Sequence, residues 1–263
     1  MIDPGRLRVF DLEQLRYHGA PIHPAHVPPG YSYLLHRRHE KGAAERRTGA
    51  AGVVVTSEHA GTHIDALSHQ AEDLTLYGGR STEGGLQTSA GFRELGAETF
   101  PPILARGLLI DLVRHRGGPV EPGRWISLEE VQAAAADQGV EPGPGDVVLI
   151  RTGNGRNWAD PELYLRGSGM AGAVSAWLAS ARVLAVGADN MAWDWPVEKD
   201  DELGVTLPGH VLLLVRAGIY ILENLQLEEL GEAGATSFTF VCLPLKIQGA
   251  TGSPVRPVAL VPA

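Results

Sequence analysis

Three of the ten histidines fall within eleven residues, in the segment Ser57-Glu58-His59-Ala60-Gly61-Thr62-His63-Ile64-Asp65-Ala66-Leu67-Ser68-His69. The spacing is H-x3-H-x-D-x3-H, with Asp65 as the acidic partner. Gly61 and Thr62 argue against a helix here, so helical i,i+4 spacing is not what gathers the histidines. On an extended backbone His63 and Asp65 share one face, because they are two residues apart. A tight turn at Gly61 returns His59 to that face. Two imidazoles and a carboxylate then converge, a donor set suited to a catalytic divalent cation. Structural zinc more often uses cysteine and four protein ligands; the segment has no cysteine, which favours an open, working site. His69 stands open between two roles, a further ligand or a proton donor and acceptor.

The elements that must position these residues read as apolar runs between turns. Residues 53–56 predict a buried strand, and residues 107–113, 146–151, 183–187, 219–222, 237–245 and 255–261 predict six more. Ser127 and Glu130 form a capping box that starts a helix running to about residue 137. A short helix follows over 175–181. Thr206 and Pro208 predict the N-cap and first turn of another, ending near residue 217. Strands outnumber helices, but helices separate several of them, so the class is α/β with a mixed sheet. No repeat or linker divides the chain, which reads as one domain over residues 1–263. Residues 1–50 read as an irregular arm, since Pro21, Pro24, Pro28 and Pro29 forbid a regular helix there. The basic stretch His36-Arg37-Arg38-His39 is a solvated face, or it lies over the active site or at a subunit contact.

Composition excludes several classes. The net charge of −9 argues against nucleic-acid and anionic-membrane partners, both of which want a basic face. The longest apolar stretch, residues 211–222, is interrupted by Arg216 and Gly218 and is too short to span a bilayer. The N-terminus lacks the basic head and apolar run of a secretory signal. Cys242 is the one cysteine, read as core, and fits a reducing, cytoplasmic compartment. There is no phosphate loop and no Gly-x-Ser-x-Gly elbow. Weaker candidates for substrate contact are Asp189, at a predicted strand end, and Trp158 and Trp193, in loops after strands. Each also has an ordinary reading, turn capping for Asp189 and packing for the tryptophans.

The 59–69 segment resembles the H-x-G-T-H-x-D-x-x-x-H motif of the metal-dependent cyclase family, which includes bacterial kynurenine formamidases and isatin hydrolases. Further blocks resemble that family in the same order. They are Leu149-Ile150-Arg151-Thr152-Gly153; His210 with Gly218-Ile219-Tyr220-Ile221-Leu222-Glu223; and Pro244-Leu245-Lys246-Ile247 with Gly252-Ser253-Pro254-Val255-Arg256. The resemblance implies a swivelling β/β/α domain with a mixed central sheet, assembled as a homodimer or homotetramer. It implies that His59, His63 and Asp65 bind a divalent metal, manganese or zinc, as one or two ions per subunit. His210 and Glu223 would complete a two-metal site, and His69 would be the catalytic proton donor and acceptor.

These roles lead to the expectation of a metal-dependent hydrolase, in which metal-bound hydroxide attacks an amide or lactam carbonyl. Asp65-Ala66-Leu67 departs from the Asp-Ala-Pro usual in the formamidases, and the chain is longer than they are. The expected substrate is therefore a cyclic amide of the isatin type, with kynurenine formamidase activity as the alternative. Two other classes are a metal-dependent binding protein without turnover and a cupin-like dioxygenase, which would consume oxygen.

Overall fold

The structure is a computed structural model that describes residues 4–42 and 45–263; the rest of the expected arm, residues 1–3 and 43–44, lies outside the described residues. Nine strands form one mixed sheet: β1 (Leu7–Asp11), β2 (His63–Asp65), β3 (Ile103–Asp111), β4 (Val147–Arg151), β5 (Ala185–Ala188), β6 (Tyr220–Glu223), β7 (Ser237–Cys242), β8 (Gly252–Pro254) and β9 (Val258–Pro262). Their order across the sheet is β1-β9-β7-β3-β4-β5-β6-β2-β8. β3, β4, β5 and β6 run parallel. Antiparallel strands flank them on both sides.

The parallel strands are buried on both faces, which is why they read as continuous apolar runs. Alternation divides them between two cores. Leu108, Ile110, Val148, Ile150, Val186 and Ile221 pack under helices α1 (Leu128–Asp137) and α2 (Gly172–Ser180), represented there by Val131, Ala134, Val174 and Leu178. Leu109, Val147, Leu149 and Leu222 pack on the other face with Phe10, Phe100, Phe238 and Phe240. The capping box of Ser127 and Glu130 is present.

Several local expectations change: the strand expected at 237–245 stops at Cys242, and the one expected at 255–261 begins at Val258. The arm is not irregular throughout: β1 closes one sheet edge, and Tyr31–Arg37 pairs with Ala51–Thr56 in a separate two-stranded ribbon. Its prolines lie between these two strands, so each flank remains free to pair. Residues 53–56 do form a strand, but an exposed one, because no layer among the described residues packs on the ribbon. The strand expected at 107–113 begins at Ile103 and stops at Asp111, whose carboxylate caps the short helix Leu112–Arg116 by accepting from the Arg114 N–H at 3.0 Å. The helix starting at Pro208 is capped at Leu207, not Thr206, and beyond His210 it widens into a π-helix over Val211–Ala217. No helix among the described residues is long and apolar enough to cross a membrane.

Cys242 points into the second core, and burial pushes its thiol up to about 12. Native protein at pH 8 should therefore leave Ellman's reagent unreacted, and one thiol should appear on adding guanidinium. Prompt reaction of the native protein would place β7 outside the core.

Candidate metal centre

The short strand β2 lies between β6 and β8. In that register His63 is opposite Glu223 and Pro254, and Asp65 is opposite Ile221 and Gly252. Ile64 and Leu222 belong to the second core, so alternation turns His63, Asp65 and Glu223 to the helix-bearing face. His210 approaches them from the helix that covers that face.

The turn before β2 is held from two directions. Gly61 has φ +65°, and a Cβ there would come within 2.8 Å of Arg16 Nη1. The Arg16 guanidinium donates to the carbonyls of Ala60 and Thr62 and pairs with Glu13 at 2.6 Å. From the other side Asn224 donates to the Gly61 carbonyl at 3.1 Å, and Thr62 Oγ1 donates to the Asn224 carbonyl at 2.6 Å. The turn returns His59 as its sequence predicts. His59 Cε1 would lie 2.7 Å from a Cβ at position 252, so Gly252 leaves the space that the ring needs.

Three imidazoles, those of His59, His63 and His210, are each anchored by one nitrogen and offer the other to the centre. His63 Nδ1 donates to the Gly61 carbonyl at 2.8 Å, leaving Nε2 at 3.4 Å from Asp65 Oδ1 and 3.3 Å from Glu223 Oε2. His210 Nδ1 donates to Asp194 Oδ2 at 2.7 Å, leaving Nε2 at 3.6 Å from Asp65 Oδ2 and 3.3 Å from Glu223 Oε1. His59 Nε2 meets Thr251 Oγ1 at 2.9 Å, and that hydroxyl donates to Glu58. His59 Nδ1 then lies 2.9 Å from Asp65 Oδ1, without the alignment of a hydrogen bond. Anchoring of this kind sets the tautomer and aim of metal-ligating histidines.

His59 Nδ1, His63 Nε2 and both oxygens of Asp65 are buried without a hydrogen-bond partner. Orphaned buried atoms of this kind are costly, and convergent lone pairs are what a cation satisfies. One atom each from His59, His63 and Asp65 lies within 4.8 Å of the others, and the same holds for Asp65, His69 and His210. Asp65 thus belongs to two adjacent donor groups. The residues fit a divalent ion.

Electrostatics within the cluster is strongly coupled. Burial lowers the His63 imidazole, but Asp65 and Glu223 outweigh it and raise it to about 10. His210 is held well above its ordinary value against burial, by Asp194, Asp65 and Glu223. Burial and the neighbouring Asp65 push Glu223 up, while His210 and His63 bring it down to about 2. Asp65 is likewise held low against burial, by His69, His210, His59 and His63. His69 goes the other way: burial, with His59 and His210, pushes it down to about 3 against Asp65.

The structure therefore gathers His59, His63, Asp65, His69, His210 and Glu223 in one place. The three weaker candidates go elsewhere. Asp189 is buried and accepts from the backbone N–H groups of Thr152, Gly153 and Gly155 at 2.8, 2.8 and 3.3 Å, so its carboxylate holds the turn after β4. Trp193 is fully buried, with its indole N–H on Ser175 Oγ at 2.9 Å; its backbone N–H donates to Glu223 Oε1 at 2.8 Å and helps aim that carboxylate. Trp158 donates to the Leu15 carbonyl at 2.7 Å and lines a cavity of about 190 Å³ between the arm and the Ala60–Gly61 turn. Sequence reasoning missed Arg16, Asp194, Asn224 and Thr251, whose contacts depend on chain crossings that no local pattern records. It also missed His23 and His26, although the density of imidazole in His23-Pro24-Ala25-His26 was a usable signal.

Comparison with known proteins agrees with this geometry. The family described as "Putative cyclase" matches residues 10–195. A solved structure titled as a novel cyclase is 28% identical, with a TM-score of 0.83 over 98% of this chain and 93% of that one. The fold is also shared with an isatin hydrolase bound to the product analogue thioisatinate, at 24% identity and a TM-score of 0.71 over 98% of this chain and 94% of that one. Isatin hydrolase A from Ralstonia solanacearum is 22% identical, with a TM-score of 0.72 over 98% and 93% of the two chains. A comparison with curated proteins gives no match. With more than half its length matched by one family model, in a mixed α/β fold that family's structures share, this chain belongs to the cyclase family.

Proposed function

We propose that the protein is a metal-dependent hydrolase that opens an amide or lactam C–N bond, with a cyclic amide of the isatin type as its substrate. The observation that carries this reading is the set of four buried, unpartnered donor atoms on His59, His63 and Asp65. Among the proteins that share the fold are three named isatin hydrolase and one titled as a potential metal-dependent hydrolase with cyclase activity.

His59, His63 and Asp65 would hold the ion, manganese or zinc. With Asp65 shared, His210 and Glu223 would hold a second ion. A divalent ion in such a site supplies Lewis acidity toward the carbonyl and a water of lowered pKa. The chain's own work is to aim these ligands and to move protons. Asp194 and Gly61 fix the free nitrogens of His210 and His63. The His69 backbone N–H donates to the Ala66 carbonyl at 2.9 Å, but its ring makes no hydrogen bond among the described residues, so the ring would take a proton from the attacking water and deliver it to the departing nitrogen. The His59 and His69 ring centroids are 4.1 Å apart, which keeps that relay beside the ligands.

A homodimer or homotetramer is the assembly we favour. The ribbon of Tyr31–Arg37 and Ala51–Thr56 exposes Tyr33, Leu34, Val53, Val54 and Val55, and an isolated two-stranded ribbon is only marginally stable in water. The single cysteine agrees with a cytoplasmic location.

Metal analysis of untagged protein purified without chelator tests the centre. About two ions per subunit are expected, falling toward about one in Glu223→Ala, as for a two-metal site. About one ion in both proteins would remove Glu223 from the ligand set, and no metal in wild type would overturn the reading. In a panel containing isatin and N-formylkynurenine, isatin should be opened without oxygen uptake at an electrode. Preference for N-formylkynurenine would select the formamidase alternative. His69→Ala should keep the metal and lose roughly 10²–10⁴-fold in kcat. Asp194→Asn should weaken metal affinity by roughly 10–100-fold, read by competition with a fluorescent chelator.

A further inference from the structure

The proline-rich arm lays a turn, Pro24–His26, beside the ligand cluster. His23 caps it, its Nδ1 accepting from the Ala25 N–H at 3.2 Å. The His26 ring lies nearly parallel to that of His59, with centroids 4.6 Å apart and 21° between planes, and 6.0 Å from His69. A ring nitrogen of His26 lies within 4.8 Å of nitrogens of both His59 and His69.

One nitrogen of His59 meets Thr251, and the other, unpartnered, faces Asp65 and the ligand cluster. Neither His26 nor His69 makes a side-chain hydrogen bond among the described residues. A nitrogen of the His26 ring lies within 4.8 Å of a nitrogen of the His69 ring, with no hydrogen bond between the two rings, a separation below twice a hydrogen-bond length. It leaves room for one oxygen that touches a nitrogen of each ring.

We propose that His26 is a substrate-contacting residue that, together with His69, brackets one oxygen of the substrate. The site then selects molecules carrying a carbonyl or carboxylate oxygen next to the bond that breaks. A molecule without that oxygen leaves a polar imidazole covered and unpartnered, which is the stronger form of discrimination. The proposal rests on the hydrolase reading for the bond broken and on the arm's geometry for the contact. In stacking on His59, His26 also covers a ligand from solvent, and the variants must separate packing from hydrogen bonding.

His26→Phe keeps a flat ring on His59 and removes the nitrogens. His26→Gln keeps a hydrogen-bonding end and gives up the ring. The probe is phenylglyoxylate, a keto group beside a carboxylate, titrated calorimetrically into manganese-loaded protein whose metal content and circular dichroism are recorded. Both variants should match wild type in metal and fold. Affinity should fall about tenfold in His26→Phe and stay within about threefold in His26→Gln. Equal affinity of His26→Phe and wild type overturns the proposal, as does failure of wild type to bind the probe. Loss of metal from His26→Phe overturns it too, by assigning His26 to the ion. If binding depends on His26 while wild type opens no amide or lactam, the contact stands and the hydrolase reading falls.

Discussion

The register of β2 between β6 and β8 is the constraint on which the centre depends. β2 is only three residues long, yet it places His63 against Glu223 and Asp65 against Gly252. Side chains alternate along a strand, so a slip of one residue would send Glu223 into the second core and bring Leu222 to the ligands. Ile64 and Leu222 resist that slip because both are fully buried in the second core. An apolar anchor on one face of the sheet thereby holds a charged arrangement on the other.

That arrangement is expensive for the folded chain. Asp65 and Glu223 are buried beside the imidazoles of His63 and His210, and burial acts against the charge of all four groups. Removing ionised groups from water is repaid only where geometry and hydrogen bonds are good. Here the repayment is incomplete, since both Asp65 oxygens lack hydrogen-bond partners. A cation that binds the folded state and not the unfolded one stabilises it by mass action. The outer contacts from Gly61, Asp194 and Thr251 orient the imidazoles beforehand, so that little rearrangement is needed on binding.

The arm joins the two halves of this logic. Arg16 ties down the carbonyls on either side of Gly61, and the Pro24–His26 turn brings a further imidazole over His59. The prolines that prevent a helix in the arm are compatible with this role, because an extended segment can cross the ligand turn at little entropic cost.

The sequence by itself determined the ligand segment. His63 and Asp65 share a face because a strand has a period of two, and Gly61 permits the turn that returns His59. It also determined the central strands, since residues buried on both faces must be apolar throughout, and the α1 start, since a capping box is local chemistry. Only the tertiary structure decided which distant residues meet these groups. Glu223 lies 158 positions after Asp65, and nothing local distinguishes a strand-end carboxylate in solvent from one paired across a ladder. Asp194, Asn224 and Arg16 are ordinary polar residues until β-strand crossovers bring them to the centre. The exposed strand Ala51–Thr56 makes the same point in reverse. Branched side chains specify an extended backbone, but burial depends on whether another layer arrives to cover it.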